Sequence, residues 1–148
     1  MIDNHCLLIE YRGMKKDKAL ILHEKNEEYR QTLYEISDLI VKDKPLSKSQ
    51  IKLLKKLANE GVYYALLVYG IYCYCIEKSK EAADYWFNKF LRNASNEDLL
   101  VGSGNLYMLQ GDSFLMAWGD RLVFTSADNG EEVSNAILDA SADKEPDA

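Results

Sequence analysis

The side chains in this 148-residue sequence whose types suit metal binding or proton transfer are two histidines, three cysteines and several clustered carboxylates. His5 and His23 fall in its least patterned part, and neither belongs to a Cys or Asp/Glu cluster at ligand spacing. Isolated in this way, each reads as a solvated surface residue rather than a zinc ligand or general base. Cys73 and Cys75 lie two apart in a helical stretch. At about 100° per residue they point roughly 200° apart and cannot chelate one ion. Asp17, Glu24, Glu27 and Glu28 read as a charged helical face, not a pair of opposed carboxylates. "VGSGN", residues 101–105, has two glycines but lacks the Lys-Ser/Thr of a phosphate loop. No convergent titratable set emerges, so the expected class is non-enzymatic, with no cofactor and no metal.

Bulk properties narrow the class further. The chain is 47% hydrophobic and 28% charged, the proportions of an ordinary globular domain with a real core. No apolar run approaches the roughly 20 residues a membrane helix needs, and "CLLIEY" lacks the basic flank of a signal peptide. Three cysteines without a spaced framework point to reduced thiols and a cytoplasmic location. The net charge of −6 is uneven: residues 1–57 carry 12 Lys+Arg against 9 Asp+Glu, residues 58–148 carry 6 against 15. Nucleic acid, which needs a positive stripe, is disfavoured, and a basic protein partner is favoured.

The elements that would position a binding surface read as helices throughout. Residues 1–13 fit no helical period and are expected to be an N-terminal extension, with Met14 a second candidate start. Apolar residues at Tyr29, Leu33, Ile36, Leu39 and Ile40 recur at helical spacing over 24–41. Pro45 breaks that run, and Ser47 with Gln50 forms a capping-box pattern for a helix ending at Gly61. Further helices are expected over 63–76, 78–91, 97–110 and 114–126. "EEVSNAILDA", 131–140, reads as an amphipathic capping helix. The helical domain is then 14–141, and 142–148 a disordered tail.

Aligning Gly70 with Gly104, thirty-four residues apart, also pairs Leu66 with Leu100, Cys73 with Tyr107 and Phe90 with Phe124. A period of this length marks a stacked helix–turn–helix array. "GNLYMLQGD" resembles the first helix and turn of a tetratricopeptide (TPR) repeat. "KLANEG" with Ala65 and Gly70 resembles the Sel1-like branch of that superfamily, over roughly residues 47–129. The second unit departs from the pattern at Ala117 and Asp120. The fold expected is all-α, a short α-solenoid of stacked TPR/Sel1-like repeats, with Trp86 buried inside its unit.

The resemblance implies that the first helix of each unit lines a groove for a partner protein. It places Tyr64, Leu67, Ile71, Tyr74 and Cys75 there from one unit, and Asp98, Val101, Asn105, Met108 and Leu109 from the next. Asp120 adds an exposed acid. The groove so drawn lacks Lys and Arg, which disfavours an acidic peptide terminus as ligand. The function expected is protein binding by a monomer or weak dimer. An immunity or inhibitor protein that neutralises a basic toxin comes first, and a secretion chaperone or adaptor holding a secreted substrate second.

Overall fold

The computed structural model describes residues 17–109 and 111–130, together with positions 135 and 138. The described residues form helices α1 (Lys18–Val41), α2 (Lys48–Glu60), α3 (Tyr63–Cys75), α4 (Lys80–Asn93), α5 (Asn96–Tyr107) and α6 (Ser113–Asp128), with no strand among them. The expected extension 1–13, with His5, and the tail 142–148 lie outside the described residues. So does the expected capping segment 131–140, apart from positions 135 and 138, which are helical.

Most helix ends follow from local chemistry. Ser47 and Gln50 make both halves of a capping box: Gln50 N–H donates to Ser47 Oγ at 3.1 Å, and Ser47 N–H to Gln50 Oε1 at 2.8 Å. Gly61 ends α2 at φ +89°, a left-handed angle that costs glycine little. Ser79, Ser95 and Asp112 cap α4, α5 and α6 by accepting N–H groups of Ala82, Asp98 and Leu115. α1 begins at Lys18, six residues before the start expected from its apolar spacing, because Asp17 accepts the Ala19 N–H. α3 is different. Its N-cap, Val62, has no side-chain acceptor, and Asn26 of α1 accepts the buried Tyr64 N–H at 2.8 Å instead.

α3 lies at the centre. It packs against α1, α2, α4 and α5, and none of its residues is fully exposed. α3 with α4 and α5 with α6 form the two tightest pairs, whereas α1 and α2 each pack mainly on α3. Close approach within the first pair depends on a missing side chain: a Cβ on Gly70 would stand 2.5 Å from the Phe87 ring. Gly102 plays the same part toward Phe90, at 2.8 Å, and Gly119 toward Tyr107, at 2.7 Å.

The two helix pairs are offset by one residue less than the sequence alignment suggests. α3 and α5 begin at Tyr63 and Asn96, α4 and α6 at Lys80 and Ser113, each thirty-three residues apart. That register pairs Leu66 with Leu99, Cys73 with Leu106 and Phe90 with Val123, all buried. The thirty-four-residue pairing puts Gly104, with nothing within 4 Å of its Cβ position, and the exposed Phe124 opposite core residues. A slip of one residue turns a helix by about 100°, enough to exchange core for surface. Trp86, expected to be buried inside its unit, is only half-buried, whereas its neighbour Phe87 is fully buried under Gly70. The well-buried tryptophan is Trp118, whose indole N–H donates to Asp84 Oδ1 at 2.8 Å.

The pairs are also staggered. Asp84 and Trp118 meet thirty-four positions apart, but Tyr64 meets Asn105, forty-one positions on. No helix of the described chain is long and apolar enough to cross a membrane.

Candidate functional site

Three of the expected groove residues are core residues. Leu67 and Ile71 are fully buried and Tyr64 is 4% exposed, because α3 has neighbours on every side. Tyr64 is held at several points. Its ring meets Tyr34 of α1 edge-on, with centroids 4.9 Å apart, and its hydroxyl accepts from Asn105 Nδ2 of α5. Burial, more than any neighbour, drives its hydroxyl well above the ordinary tyrosine range.

The other expected residues remain at least partly accessible, and the α5 set forms one surface. Asp98, Val101, Asn105 and Met108 follow one another at steps of three, four and three, which keeps them on one face of the helix. Asp98, Val101 and Asn105 are half-buried, Met108 is 63% exposed, and Leu109 beside it is half-buried. The two N–H bonds of the Asn105 amide go to the Tyr64 hydroxyl and, at 3.1 Å, to Val101 O. Through Tyr64 and Tyr34 this stripe is tied to Arg30, whose Nη1 donates to the Tyr34 hydroxyl at 3.1 Å.

Tyr74 belongs to a different place. Its ring stacks on Phe114 of α6 with centroids 4.5 Å apart, and its hydroxyl donates to Asp112 Oδ2 at 2.6 Å. That hydrogen bond, and then burial, pushes the Tyr74 hydroxyl up to about 12. Burial pulls the Asp112 carboxyl upward. The Tyr74 hydroxyl and the N–H groups of Leu115 and Phe114 outweigh it and hold the carboxyl below its ordinary range. Tyr74 and Cys75 line a cleft of about 460 Å³ with Ile40, Asp43, Lys78, Lys80 and Asp112. The surroundings of Tyr74 and Cys75 are therefore not free of lysine, contrary to the sequence expectation. Lys78 enters from the α3–α4 turn and Lys80 from the start of α4, and Asp43 and Lys78 both have positive φ, +57° and +59°.

Asp120 is exposed on α6, where its Oδ1 accepts the Tyr107 hydroxyl at 2.6 Å. It shares no hydrogen bond with the α5 stripe. Cys73 is a buried free thiol, pushed up to about 12 first by burial and then by Glu77. Cys75 is half-buried and is also raised chiefly by burial. Both are poor nucleophiles in this state. Among the described residues no three His, Cys, Asp or Glu side chains gather as a metal site would require.

Three important side chains escaped the reading of the sequence. Asn26 and Asp84 act across thirty-eight and thirty-four residues, distances at which a lone polar residue carries no pattern. Tyr85 was legible in principle: it and Trp86 are adjacent on a helix, so one narrow core stripe cannot take both. Compared with protein-family models, curated proteins and solved structures, the chain matches none.

Proposed function

We propose that this chain is a non-catalytic protein-binding module, a short α-solenoid, that neutralises a basic partner in the bacterial cytoplasm as an immunity or inhibitor protein. The observation that carries this reading is the α5 stripe. Val101, Met108 and Leu109 present apolar surface beside the Asp98 carboxylate and the Asn105 amide, and Met108 is 63% exposed. Methionine adapts to many partner shapes, and a surface of apolar atoms rimmed by polar ones is the usual anatomy of recognition. The stripe is held in place beforehand by the Asn105–Tyr64 bond, which lowers the ordering cost of binding. The excess of acid over base beyond residue 57, 15 against 6, favours a basic partner and speeds its approach.

The experiment is affinity capture with the full chain, repeated with Val101→Asp and Met108→Asp together. A basic protein retained by the wild type and lost by the double variant supports the inhibitor reading. Retention of the same protein by both rules out the stripe. Capture of a secreted protein that stays folded only in the complex favours a chaperone instead.

A further inference from the structure

α4 carries a second surface that the α5 stripe does not use. Tyr85, 54% exposed, and the half-buried Trp86 meet with ring planes 90° apart and centroids separated by 5.0 Å. Trp86 meets Tyr69 of α3 at 5.0 Å, and Tyr69 stacks on the buried Tyr72 at 5.8 Å. Four rings thus run from the core to the surface, and the outer two form an open corner. A cleft of about 370 Å³ opens on that corner, lined by Ser79, Glu81, Ala82, Tyr85 and Trp86.

Three features fix the charge this corner would accept. Lys89 Nζ lies 5.6 Å from the Tyr85 centroid and 5.4 Å from that of Trp86, so these rings already draw a cation. Among the described residues that line the cleft the one charged side chain is the carboxylate of Glu81, and Lys89 is not one of them. Glu77, also exposed, lies within electrostatic reach of the Tyr69 and Tyr72 hydroxyls. The first turn of α4 would by itself attract an anion. Ser79 already accepts the Ala82 N–H there, however, and a full negative charge on Glu81 exceeds the half-charge of a helix end.

We propose that the Tyr85–Trp86 corner with Glu81 is a docking site for an arginine side chain of a basic partner protein. A flat guanidinium can lie against the rings while its N–H fork reaches the Glu81 carboxylate, which a lysine ammonium does less well. This deepens the reading of the partner as basic and rests on it for the identity of the ligand, but not for the chemistry of the corner.

The test is a titration of the ¹⁵N-labelled full chain with a capped Gly-Arg-Gly peptide, and with capped Gly-Glu-Gly as control, followed by NMR. The arginine peptide should move the Trp86 indole N–H and the Ala82 and Tyr85 amides, with saturation. Glu81→Gln should weaken it about five-fold, the scale of one lost surface ion pair. Trp86→Leu should remove the response. An unmoved Trp86 indole, equal shifts with the glutamate peptide, or unchanged affinity in Glu81→Gln would each overturn the proposal. The Val101→Asp, Met108→Asp variant should bind the peptide like the wild type, so failure of this site and failure of the α5 stripe are separable.

Discussion

The Phe87 ring of α4 occupies the space that a side chain at Gly70 of α3 would need: a Cβ there would stand 2.5 Å from the ring. Gly104 of α5, its partner in the thirty-four-residue alignment, has nothing within 4 Å of the same position. Alanine at the two sites should therefore act with opposite signs. Gly70→Ala should cost about 1–3 kcal/mol through overpacking, less what helix propensity returns. Gly104→Ala should gain up to about 1 kcal/mol, since only propensity changes. Urea midpoints measure both, and destabilisation by both substitutions would favour the thirty-four-residue register.

Asn26 caps a helix to which it does not belong. Its Oδ1 accepts the Tyr64 N–H at 2.8 Å in a buried setting, and Val62 cannot replace it. Asn26→Ala should cost about 1–3 kcal/mol, the penalty for a buried donor left without a partner. Asn26→Asp, which keeps an acceptor at a helix N-terminus, should recover part of that loss. Equal losses in the two variants would mean that packing, not the hydrogen bond, matters at this position.

The two tryptophans should separate cleanly. Trp118 is 5% exposed, bonded to Asp84 and tilted against Phe87 at 5.4 Å, and Trp118→Ala should cost about 3–5 kcal/mol. Trp86 is half-buried on α4, and Trp86→Ala should cost about 1–2 kcal/mol, nearer the ordinary mutational mean. Denaturant curves of the two variants decide the order.

What the sequence revealed was local, and what it concealed was phase and distance. Ser47, Gln50, Gly61 and Pro45 announce the boundaries of α1 and α2, because caps and breakers act within a few residues. The one-residue slip at Gly104 and Phe124 was hidden because glycine and phenylalanine suit either register until a neighbouring helix chooses one. Tyr64, Leu67 and Ile71 were expected to face a groove and are buried instead. In "YYALLVYGIYCYC" nearly every position is apolar or aromatic, so no polar face marks what the neighbours cover. On α5, where polar and apolar residues mix, Asp98, Val101, Asn105 and Met108 stay at least partly accessible.

Tyr74 and Asp112 give stability a dependence on pH at both ends. The Asp112 carboxyl is depressed in the folded state. Its contribution is therefore present above the unfolded value near 3.9 and is lost as pH falls through the lower folded value. The Tyr74 hydroxyl is raised to about 12, so its contribution is present below the unfolded value near 10 and is lost as pH climbs toward 12. Asp112→Asn should flatten the acid limb, and Tyr74→Phe the alkaline limb, of a plot of urea midpoint against pH. Limbs unchanged by these substitutions would place the titrating groups elsewhere.

Whether α5 is the binding surface is tested most directly by the kinetics of the captured partner binding to the full chain and its α5 and α6 variants at low and high salt. Val101→Asp with Met108→Asp should chiefly speed dissociation, since lost apolar contact appears in the off-rate. Asp98→Asn with Asp120→Asn should chiefly slow association and flatten its salt dependence, since steering acts before contact. Dissociation unchanged by the first pair, in a protein that keeps its helical spectrum, would contradict the claim that α5 is the binding surface.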